Sequence, residues 1–334
     1  MPSPRTSVVI PVRDGEEHLT AALDSLCAQT DPDFEIIAID DASTDGTRDI
    51  LADYASRDAR VRMVATKSDS GQGLVAALNL GLAVSRGRYV ARMDADDICR
   101  PERLKLQADF LDTNPDVGLV SSRVHFAGDR QAQRGLALFV DWSNTLLEPG
   151  QIERARFIET PVIHPSVMFQ RELVTQHGGY RSGGFPEDYE LWLRWLDAGV
   201  RMAKLPETLL DWHDRPNRLT RTDPRYDVDA FFRVKAPYIA RWLSVNNPLH
   251  PRVVVWGAGR TARRRFRYLA EQGVEPTAYV DIDPKKIGWH IAGVPVIAAE
   301  QIPDDAFVLI YVGKRGARRL IEDCLGERPF IACA

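Results

Sequence analysis

The feature that most constrains the fold is an alternation of short apolar runs and helical patterns along residues 6–111. Four runs rich in β-branched residues predict buried strands: "TSVVIPV" (6–12), "FEIIAID" (34–40), "VRMVA" (61–65) and "RYVARMD" (88–94). Leucines at helical spacing, such as Leu74, Leu78 and Leu82, predict helices between the runs. This alternation predicts an α/β fold, with a mostly parallel sheet covered by helices on both faces.

A second strand–helix pattern begins late in the chain. The segment "SVNNPLHP" (244–251) combines Asn and Pro as a linker does, and "RVVVWGAGRTARRRFRYLAEQG" after it predicts a strand, a glycine turn and a helix. A chain of 334 residues is long enough for two domains. We therefore expect one domain over residues 1–246 and a small α/β domain over 247–334.

Composition narrows the classes of partner. The net charge of −4 gives no indication of binding to nucleic acid or to an acidic membrane surface, and 44% hydrophobic residues suffice for a sizeable core. The N-terminus lacks a signal-peptide layout, and no apolar stretch approaches the roughly 20 residues that span a bilayer. The four cysteines lie far apart and fit free thiols. We expect a soluble, cytoplasmic protein without a transmembrane segment.

Acidic residues follow two of the predicted strands, and ligands of parallel sheets bind at the carboxyl ends of strands. Asp40 and Asp41 end the second strand in "IAIDDASTDGT", where one carboxylate can accept a hydrogen bond from a nucleobase imide or simply cap the next helix. In "RMDADD", Asp94 and Asp96 form a D-x-D pair beside Asp97. Such carboxylates suit a hard divalent cation, although acidic loops without one are common.

Two later segments carry further candidates. Glu187 and Asp188 stand at a helix start in "GGFPEDYELWLRWL", where an acid can be a general base or a simple response to the helix dipole. His164 and His213 each stand alone, and a lone histidine is more often structural than a ligand. His213 is the better candidate, because a diphosphate needs positive partners and three arginines follow it: Arg215, Arg218 and Arg221.

Taken in order, these segments closely resemble the inverting family 2 glycosyltransferases of the GT-A fold. The resemblance runs from "SVVIPVRDGEEHLTAALDSLCAQT" through "GQGLVAALNLGLAVSRGRYVARMDADDICRPERLKLQ" and "HPSVMFQRELV" to "GGYRSGGFPEDYELWLRWLDAG". It covers residues 6 to about 222. It implies a GT-A domain that transfers a sugar from a nucleotide diphosphate sugar, with UDP or dTDP favoured, to an acceptor hydroxyl.

The resemblance also implies roles for individual residues. Asp188 matches the catalytic base, with Glu187 as its neighbour. Asp96 and Asp94 match ligands of Mn²⁺ or Mg²⁺, and His213 is a further candidate ligand. The residues that match the nucleotide-sugar pocket are Pro11, Val12, Glu16, Asp40, Asp41, Asp94 and Ala95. The acceptor, by the same resemblance, is a saccharide, a lipid-linked sugar or a small molecule, in cell-surface polysaccharide or glycoconjugate synthesis, and contact with the inner face of the membrane is compatible with it.

The C-terminal segment holds a separate motif. Gly257, Gly259 and Ala262 form G-x-G-x-x-A after a strand, and Asp281 follows at near the ribose-binding spacing. The segment resembles the small Rossmann-like N-terminal domain of bacterial sugar O-acyltransferases. A nucleotide-binding or regulatory module, a packing or oligomerisation module and a redox site all remain open. The arginines from Arg260 to Arg267 are also compatible with a solvated helix face.

Three other functions explain fewer of these motifs than transfer of a sugar does. A nucleotidyltransferase would need a glycine-rich basic loop after the first strand, and "PVRDGEEHL" lacks one. An NAD(P)-linked oxidoreductase or nucleotide-binding regulatory protein, acting through the C-terminal module, is the main alternative. A catalytically inactive binding protein fits less well, because all three acidic sites are present.

Overall fold

The computed structural model describes residues 3–67, 70–215, 218–314 and 316–334. The chain divides into two compact units, each described by itself. Unit 1 holds Met1–Glu153, Pro161–Gly183 and Arg194–Thr222, and unit 2 holds Arg154–Thr160, Gly184–Leu193 and Asp223–Ala334. The predicted domain limits, 1–246 and 247–334, stay a prediction, since compactness alone does not fix where a domain ends.

Unit 1 is built on an eight-stranded sheet. Its strands in chain order are β1 (Thr6–Val12), β2 (Phe34–Asp40), β3 (Val61–Ala65), β4 (Tyr89–Arg92), β5 (Ile98–Cys99), β6 (Val117–Ala127), β7 (Met168–Gln170) and β8 (Arg201–His213). The spatial order is β3-β2-β1-β4-β7-β6-β8-β5. The first four strands are parallel, as are β6 and β8, whereas β7 and β5 run antiparallel to their neighbours. Every residue of β1 and β2 is buried, as in a parallel sheet covered on both faces.

Helices alternate with these strands as the leucine spacing predicts. The helices before Arg252 in chain order are α1 (Leu19–Cys27), α2 (Thr47–Arg57), α3 (Leu74–Val84), α4 (Arg103–Thr113), α5 (Arg134–Ser143), α6 (Pro149–Ala155), α7 (Glu172–His177), α8 (Glu187–Asp197), α9 (Leu219–Thr222) and α10 (Val228–Asn246), of which α10 lies in unit 2. The apolar face of α1 is fully buried, with Leu19, Leu23 and Leu26 in the core. The α/β class expected from the sequence is confirmed.

The fourth strand is shorter than its sequence suggested. β4 ends at Arg92, so Asp94, Asp96 and Asp97 lie in the loop between β4 and β5 rather than on a strand. A strand would send alternate side chains to opposite faces of the sheet. The loop instead brings ligand oxygens of all three acids within 4.8 Å of one another.

Unit 2 contains a six-stranded sheet. The strands are β9 (Arg252–Trp256), β10 (Glu275–Val280), β11 (His290–Ile291), β12 (Val294–Ile297), β13 (Val308–Ile310) and β14 (Phe330–Ala332), in the order β11-β12-β10-β9-β13-β14. All pairs are parallel except β11 with β12. The helices α11 (Arg260–Ala270) and α12 (Ala317–Leu325) complete it. Its resemblance to the acyltransferase domain stays a prediction.

Apolar side chains of α10 and α11 pack into one core with the sheet of unit 2. Phe232 and Ile239 of α10 lie in that core with Phe266 and Leu269 of α11. No helix in the described ranges is long and apolar enough to cross a membrane.

Candidate active site

The loops after β1 and β2 are tied together at the carboxyl edge of the unit 1 sheet. The backbone N–H of Asp41 donates to the carbonyl of Val12 (2.9 Å), beside buried Pro11. Glu16 accepts from the N–H of Gly46 (2.9 Å), and Asp14 accepts from the N–H of Thr44 (2.7 Å). These contacts hold the two loops together at the place where the nucleoside contacts are predicted.

Asp41 and Asp40 differ in what they contact. The Asp41 carboxylate accepts from the hydroxyl of Thr66 (2.9 Å) and from the N–H groups of Gln72 (2.6 Å) and Gly73 (2.8 Å). A carboxylate offers about four acceptor positions, and these three described donors use three of them. Asp40 is fully buried and bound by the Ser43 N–H (3.0 Å) and Arg48 (2.6 Å).

The pKa of Asp40 reflects these partners. Burial works against its ionisation, but hydrogen bonds from Ser43 and Arg48 hold the pKa below its ordinary value. Asp40 therefore stabilises the turn before α2. Its nucleotide-binding role, like that of Asp41, stays a prediction.

A buried arginine of the same chain pairs with the D-x-D loop. Arg92, at the end of β4, forms an ion pair with Asp94, with Nη1 and Oδ1 2.6 Å apart. Arg218 approaches the other oxygen of Asp94 at 3.8 Å. Burial disfavours the Asp94 carboxylate, but Arg92 and Arg218 together lower its pKa. Asp94 is thus an ion before any ligand arrives, and Ala95 links it to Asp96.

Asp97 and His213 are brought together by strand pairing. β5 pairs with β8, and the N–H of His213 at the end of β8 donates to Oδ1 of Asp97 (2.8 Å). The other oxygen of Asp97 and Nδ1 of His213 are both buried and lack a hydrogen-bond partner among the described residues. Buried polar atoms are nearly always satisfied, so these two atoms are candidate ligands for a cation.

The remaining pKa shifts have the same cause. Burial and the neighbouring Asp94 raise the pKa of Asp96, and burial with Asp94 and Asp96 raises that of Asp97 well above its ordinary value. Burial and Arg215 lower the pKa of His213, which leaves its ring neutral and able to bind a metal. Repulsion among three carboxylates is the strain that a bound cation would relieve.

The donor set suits a divalent cation. Carboxylate oxygens are the ligands that Mg²⁺ and Mn²⁺ prefer, and a neutral imidazole is a common additional ligand. The acids whose ligand oxygens lie within 4.8 Å of one another are Asp94, Asp96 and Asp97. His213 Nδ1, buried and without a hydrogen-bond partner among the described residues, is a further candidate ligand. Asp97 was not among the residues assigned to a metal from the sequence, and only its place in the acidic run pointed to it.

The arginines after His213 differ in their availability. Arg221 is held by Asp214, with Nη2 2.6 Å from both carboxylate oxygens. Arg218 stacks on Trp212 at 4.2 Å and donates to the carbonyl of His213 (2.9 Å). Nε of Arg215 is buried and has no partner among the described residues. Arg215 and Arg218 are therefore the cations available to a phosphate near the D-x-D loop.

His164 is structural, as a lone histidine usually is. It is buried, and its Nε2 lies 2.7 Å from the hydroxyl of Tyr180. Burial, with Arg92 nearby, lowers its pKa well below the ordinary value.

The helix-start acids belong to unit 2. Glu187 is 2% exposed and accepts a hydrogen bond from the Tyr226 hydroxyl (2.7 Å). Asp188 is half-buried, and its Oδ1 accepts from the N–H of Tyr189 (2.7 Å). The Tyr189 hydroxyl donates to the carbonyl of Arg156 (2.6 Å). The first turn of α8 is thus held in place by the hydrogen bonds of Glu187 and Tyr189. The contact of Tyr226 with Glu187 was not predicted from the sequence.

The C-terminal glycine motif also lies in unit 2. Gly257 has φ +133°, and a Cβ there would lie 2.7 Å from that of Ala262, so only glycine fits this turn. Gly259 precedes α11. The Asp281 carboxylate after β10 is already bound by Lys286 (2.8 Å) and the N–H of Asp283 (3.0 Å). A second nucleotide site here stays a prediction.

A mixed α/β sheet with acids, arginines and an imidazole at its strand ends is the architecture of a GT-A glycosyltransferase. The family model described as glycosyl transferase family 2 matches residues 7–178, just over half of the chain. The chain belongs to this family.

Individual relatives agree. The amylovoran biosynthesis glycosyltransferase AmsE of Erwinia amylovora is 32% identical over 207 residues, covering 61% of this chain and 74% of that one. The UDP-Gal:alpha-D-GlcNAc-diphosphoundecaprenol beta-1,3-galactosyltransferase of Escherichia coli is 29% identical over 211 residues, 63% and 74% of the two chains. Among solved structures, S. aureus TarS 1-349 with UDP-GlcNAc shares the fold at a TM-score of 0.57 and 19% identity, over 80% of this chain and 71% of that one.

Proposed function

We propose that this glycosyltransferase is metal-dependent and inverting, and that it takes its sugar from a pyrimidine nucleotide diphosphate sugar, UDP- or dTDP-linked. The observation that carries the proposal is the acidic loop, in which ligand oxygens of Asp94, Asp96 and Asp97 lie within 4.8 Å of one another. Asp97 Oδ2 and His213 Nδ1 are also buried without a hydrogen-bond partner among the described residues, which makes a cation-binding loop a better account than an acidic turn.

The residues near the carboxyl edge of the unit 1 sheet are proposed to bind the metal and the donor. Asp94, Asp96 and His213, with Asp97 added from the acidic cluster, would hold Mn²⁺ or Mg²⁺, which supplies positive charge for the departing diphosphate when bound. Arg215 and Arg218 neutralise phosphate oxygens. Asp41 accepts a hydrogen bond from the imide N–H of uracil or thymine.

Asp188 is proposed as the general base. It removes the proton of the acceptor hydroxyl, and that oxygen forms a bond to the anomeric carbon while the bond to the diphosphate breaks on the opposite face. One displacement inverts the anomeric configuration. Glu187, fixed by Tyr226, orients the first turn of α8 that carries Asp188.

The acceptor is proposed to be a lipid-linked sugar in cell-surface glycoconjugate or polysaccharide synthesis. The support is the Escherichia coli relative, whose name specifies a diphosphoundecaprenol acceptor. A cytoplasmic location at the inner face of the membrane is consistent with this acceptor.

Ligand binding tests the donor and the metal together. A ligand that binds only the native state raises the melting temperature, by mass action. We expect UDP- or dTDP-sugars to stabilise the protein only with Mn²⁺ or Mg²⁺, and EDTA to remove the effect. Equal stabilisation without metal would contradict the metal assignment.

The Asp188→Asn variant tests the base. It should still bind donor but lose transfer by about 100-fold or more, the size expected for a missing general base. The anomeric coupling in the product, measured by NMR, reports inversion. Full transfer in Asp188→Asn would place the base elsewhere.

A further inference from the structure

A buried lysine in unit 2 joins three separate stretches of the chain. Lys235, on α10, is 2% exposed. Its Nζ donates to the carbonyl groups of Phe157 (2.8 Å), Ile158 (3.5 Å) and Cys333 (2.8 Å). Phe157 lies 78 residues before Lys235 and Cys333 lies 98 residues after it, so one side chain connects segments that are far apart in the sequence.

The ammonium group of Lys235 suits these partners. An ammonium group has three N–H donors, which match the three carbonyl oxygens. Burial lowers the pKa of Lys235 to about 8, so the ammonium form predominates at pH 7. The ring of Phe232 lies 3.9 Å from Nζ and adds a cation–π contact. Loss of the ammonium group would take a donor from buried carbonyl groups, which costs free energy.

The Cys333 end of this junction is fixed by the unit 2 sheet. Cys333 directly follows β14 and is fully buried, and its N–H donates to the carbonyl of Ile310 at the end of β13 (2.9 Å). The ring of Phe232 on α10 packs on that of Tyr311 at 6.1 Å. Backbone pairing and ring packing therefore hold Lys235 in place against the sheet.

The Phe157 end of the junction contacts the helix that carries Asp188. The residue before Phe157 is Arg156, whose carbonyl accepts from the Tyr189 hydroxyl (2.6 Å). Tyr189 is fully buried, and its N–H donates to Oδ1 of Asp188 (2.7 Å). Lys235 and Tyr189 thus hold neighbouring carbonyl groups of one short segment, residues 156–158.

One apolar core encloses both ends of the junction. It contains Phe157, Tyr189, Phe232, Tyr311 and Cys333. Protein cores are close-packed, so a displacement of one segment is transmitted to the segments packed against it. The contacts from the sheet to the first turn of α8 are therefore continuous within unit 2.

We propose that Lys235 is a positioning residue, which ties the C-terminal sheet to the first turn of α8 and thereby orients Asp188 for transfer. The inference rests on the proposed function in one respect, the role of Asp188 as the general base. Of the roles left open for the C-terminal segment by the sequence, it favours packing, with a consequence for catalysis.

The Lys235→Met variant tests the connection, because methionine keeps a long unbranched side chain and removes the ammonium group. We expect amide hydrogen exchange in residues 156–158 and 187–193 to become about tenfold faster. We expect kcat to fall about tenfold with donor KM unchanged, since the proposed donor contacts lie in unit 1. Exchange is measured on the free protein and needs no substrate. Unchanged exchange in both segments would overturn the proposal.

The matched control is Lys204→Met in unit 1. Lys204 is 4% exposed, and its Nζ donates to the hydroxyl oxygen of Ser143 (2.7 Å) and to the carbonyl of Pro161 (3.1 Å). The control loses a buried ammonium group of the same kind, so the free energy of unfolding should fall by a similar amount. Its kcat should stay within about twofold of the parent value. Equal losses of kcat in the two variants would overturn positioning by Lys235.

A second variant keeps the test decisive where Lys235→Met fails to fold. Tyr189→Phe keeps the ring and removes the hydroxyl that donates to Arg156. It should lower kcat with donor KM unchanged and speed exchange in residues 156–158, and the absence of both effects would overturn the proposal. In the double variant the loss of kcat should be smaller than the product of the two single losses, because both side chains act on one segment. Fully multiplicative losses would count against that shared path.

The outcomes separate this inference from the proposed function. Full transfer in Asp188→Asn, together with faster exchange in Lys235→Met, would refute the base and the catalytic consequence but uphold the connection between the sheet and α8. Loss of transfer in Asp188→Asn, with normal exchange and normal kcat in Lys235→Met, would uphold the base and refute the positioning role.

Discussion

At the carboxyl edge of the unit 1 sheet, Asp97 keeps one buried oxygen that has no partner in the described part of the chain, and Asp96 has a raised pKa. At the corresponding edge of the unit 2 sheet, Asp281 is bound by Lys286 at 2.8 Å. Both sheets are largely parallel, and both edges collect acids. The two edges differ in whether a basic side chain of the same chain pairs with the carboxylate.

That difference favours the acids of unit 1 as the ligand site. A carboxylate with its own lysine gains little from a cation, whereas crowded carboxylates with unpartnered atoms gain the relief of repulsion. A motif search weighs both edges by their residue types alone. The partner of each oxygen separates a binding site from a self-contained turn.

The strongest test exchanges a carboxylate for an amide at each edge. Asp96→Asn should lower transfer by about 100-fold or more, because a ligand that offsets charge on the departing diphosphate is lost. Asp281→Asn, the matched control, should transfer at the normal rate. Initial rates at saturating donor with Mn²⁺ measure both. Loss of transfer in Asp281→Asn alone would reverse the comparison.

The second test concerns Glu187, whose carboxylate accepts a hydrogen bond from a tyrosine hydroxyl. Tyr226→Phe removes the hydroxyl that donates to Glu187 and keeps the ring. We expect kcat to fall about tenfold with donor KM unchanged, since a hydrogen bond to a charged group contributes about 1.5–3 kcal/mol and tenfold in rate needs about 1.4 kcal/mol.

Tyr238→Phe is the matched control for that test. It removes a hydroxyl that donates to Glu190 (2.8 Å) on the same helix. The control should lower stability by a similar amount and leave kcat within about twofold, since Glu190 is outside the proposed site. Equal loss of kcat in both variants would show that α8 needs general support rather than the Glu187 contact.

The third test uses stability against pH. The pKa of Asp97 is raised in the folded state by burial and by Asp94 and Asp96. Above the unfolded pKa of about 3.9 the unfolded chain loses its proton first, so this group lowers the free energy of unfolding as pH rises toward the folded pKa. Asp97→Asn removes that penalty and keeps an acceptor for the His213 N–H.

Without metal, Asp97→Asn should melt about 2 °C or more above the parent chain at pH 7, and the gap should close near pH 4. With Mn²⁺ the order should reverse, because the parent gains a ligand and the variant does not. Thermal denaturation in both conditions measures the effect. A variant less stable than the parent at pH 7 without metal would show that the carboxylate repulsion is not the dominant effect.

Local patterns in the sequence were enough to find β1 to β4, since each is a short run rich in apolar residues. For β1 and β2 the run is continuous and every residue is buried, whereas β3 lies at the edge of the sheet and is partly exposed. The same patterns placed Asp41 and Asp94 at strand ends. The contact between Asp97 and His213 was out of reach, because it depends on the pairing of β5 with β8, more than 100 residues apart along the chain. Tyr226 was missed for a similar reason, since nothing near it in sequence marks Glu187 as its partner.

The smallest expected effect is the loss of stability on substitution of Asp281 in unit 2. Asp281→Asn breaks the ion pair with Lys286, whose side chain is 35% exposed, and keeps an acceptor for the Asp283 N–H. A partly exposed pair of this kind contributes less than about 1 kcal/mol, and salt weakens it further. Chemical denaturation at low and high salt should show a small loss at low salt that vanishes at high salt. A loss above about 2 kcal/mol would mean that Asp281 is a buried structural anchor, and the contrast between the two edges would then rest on stability rather than on ligand binding.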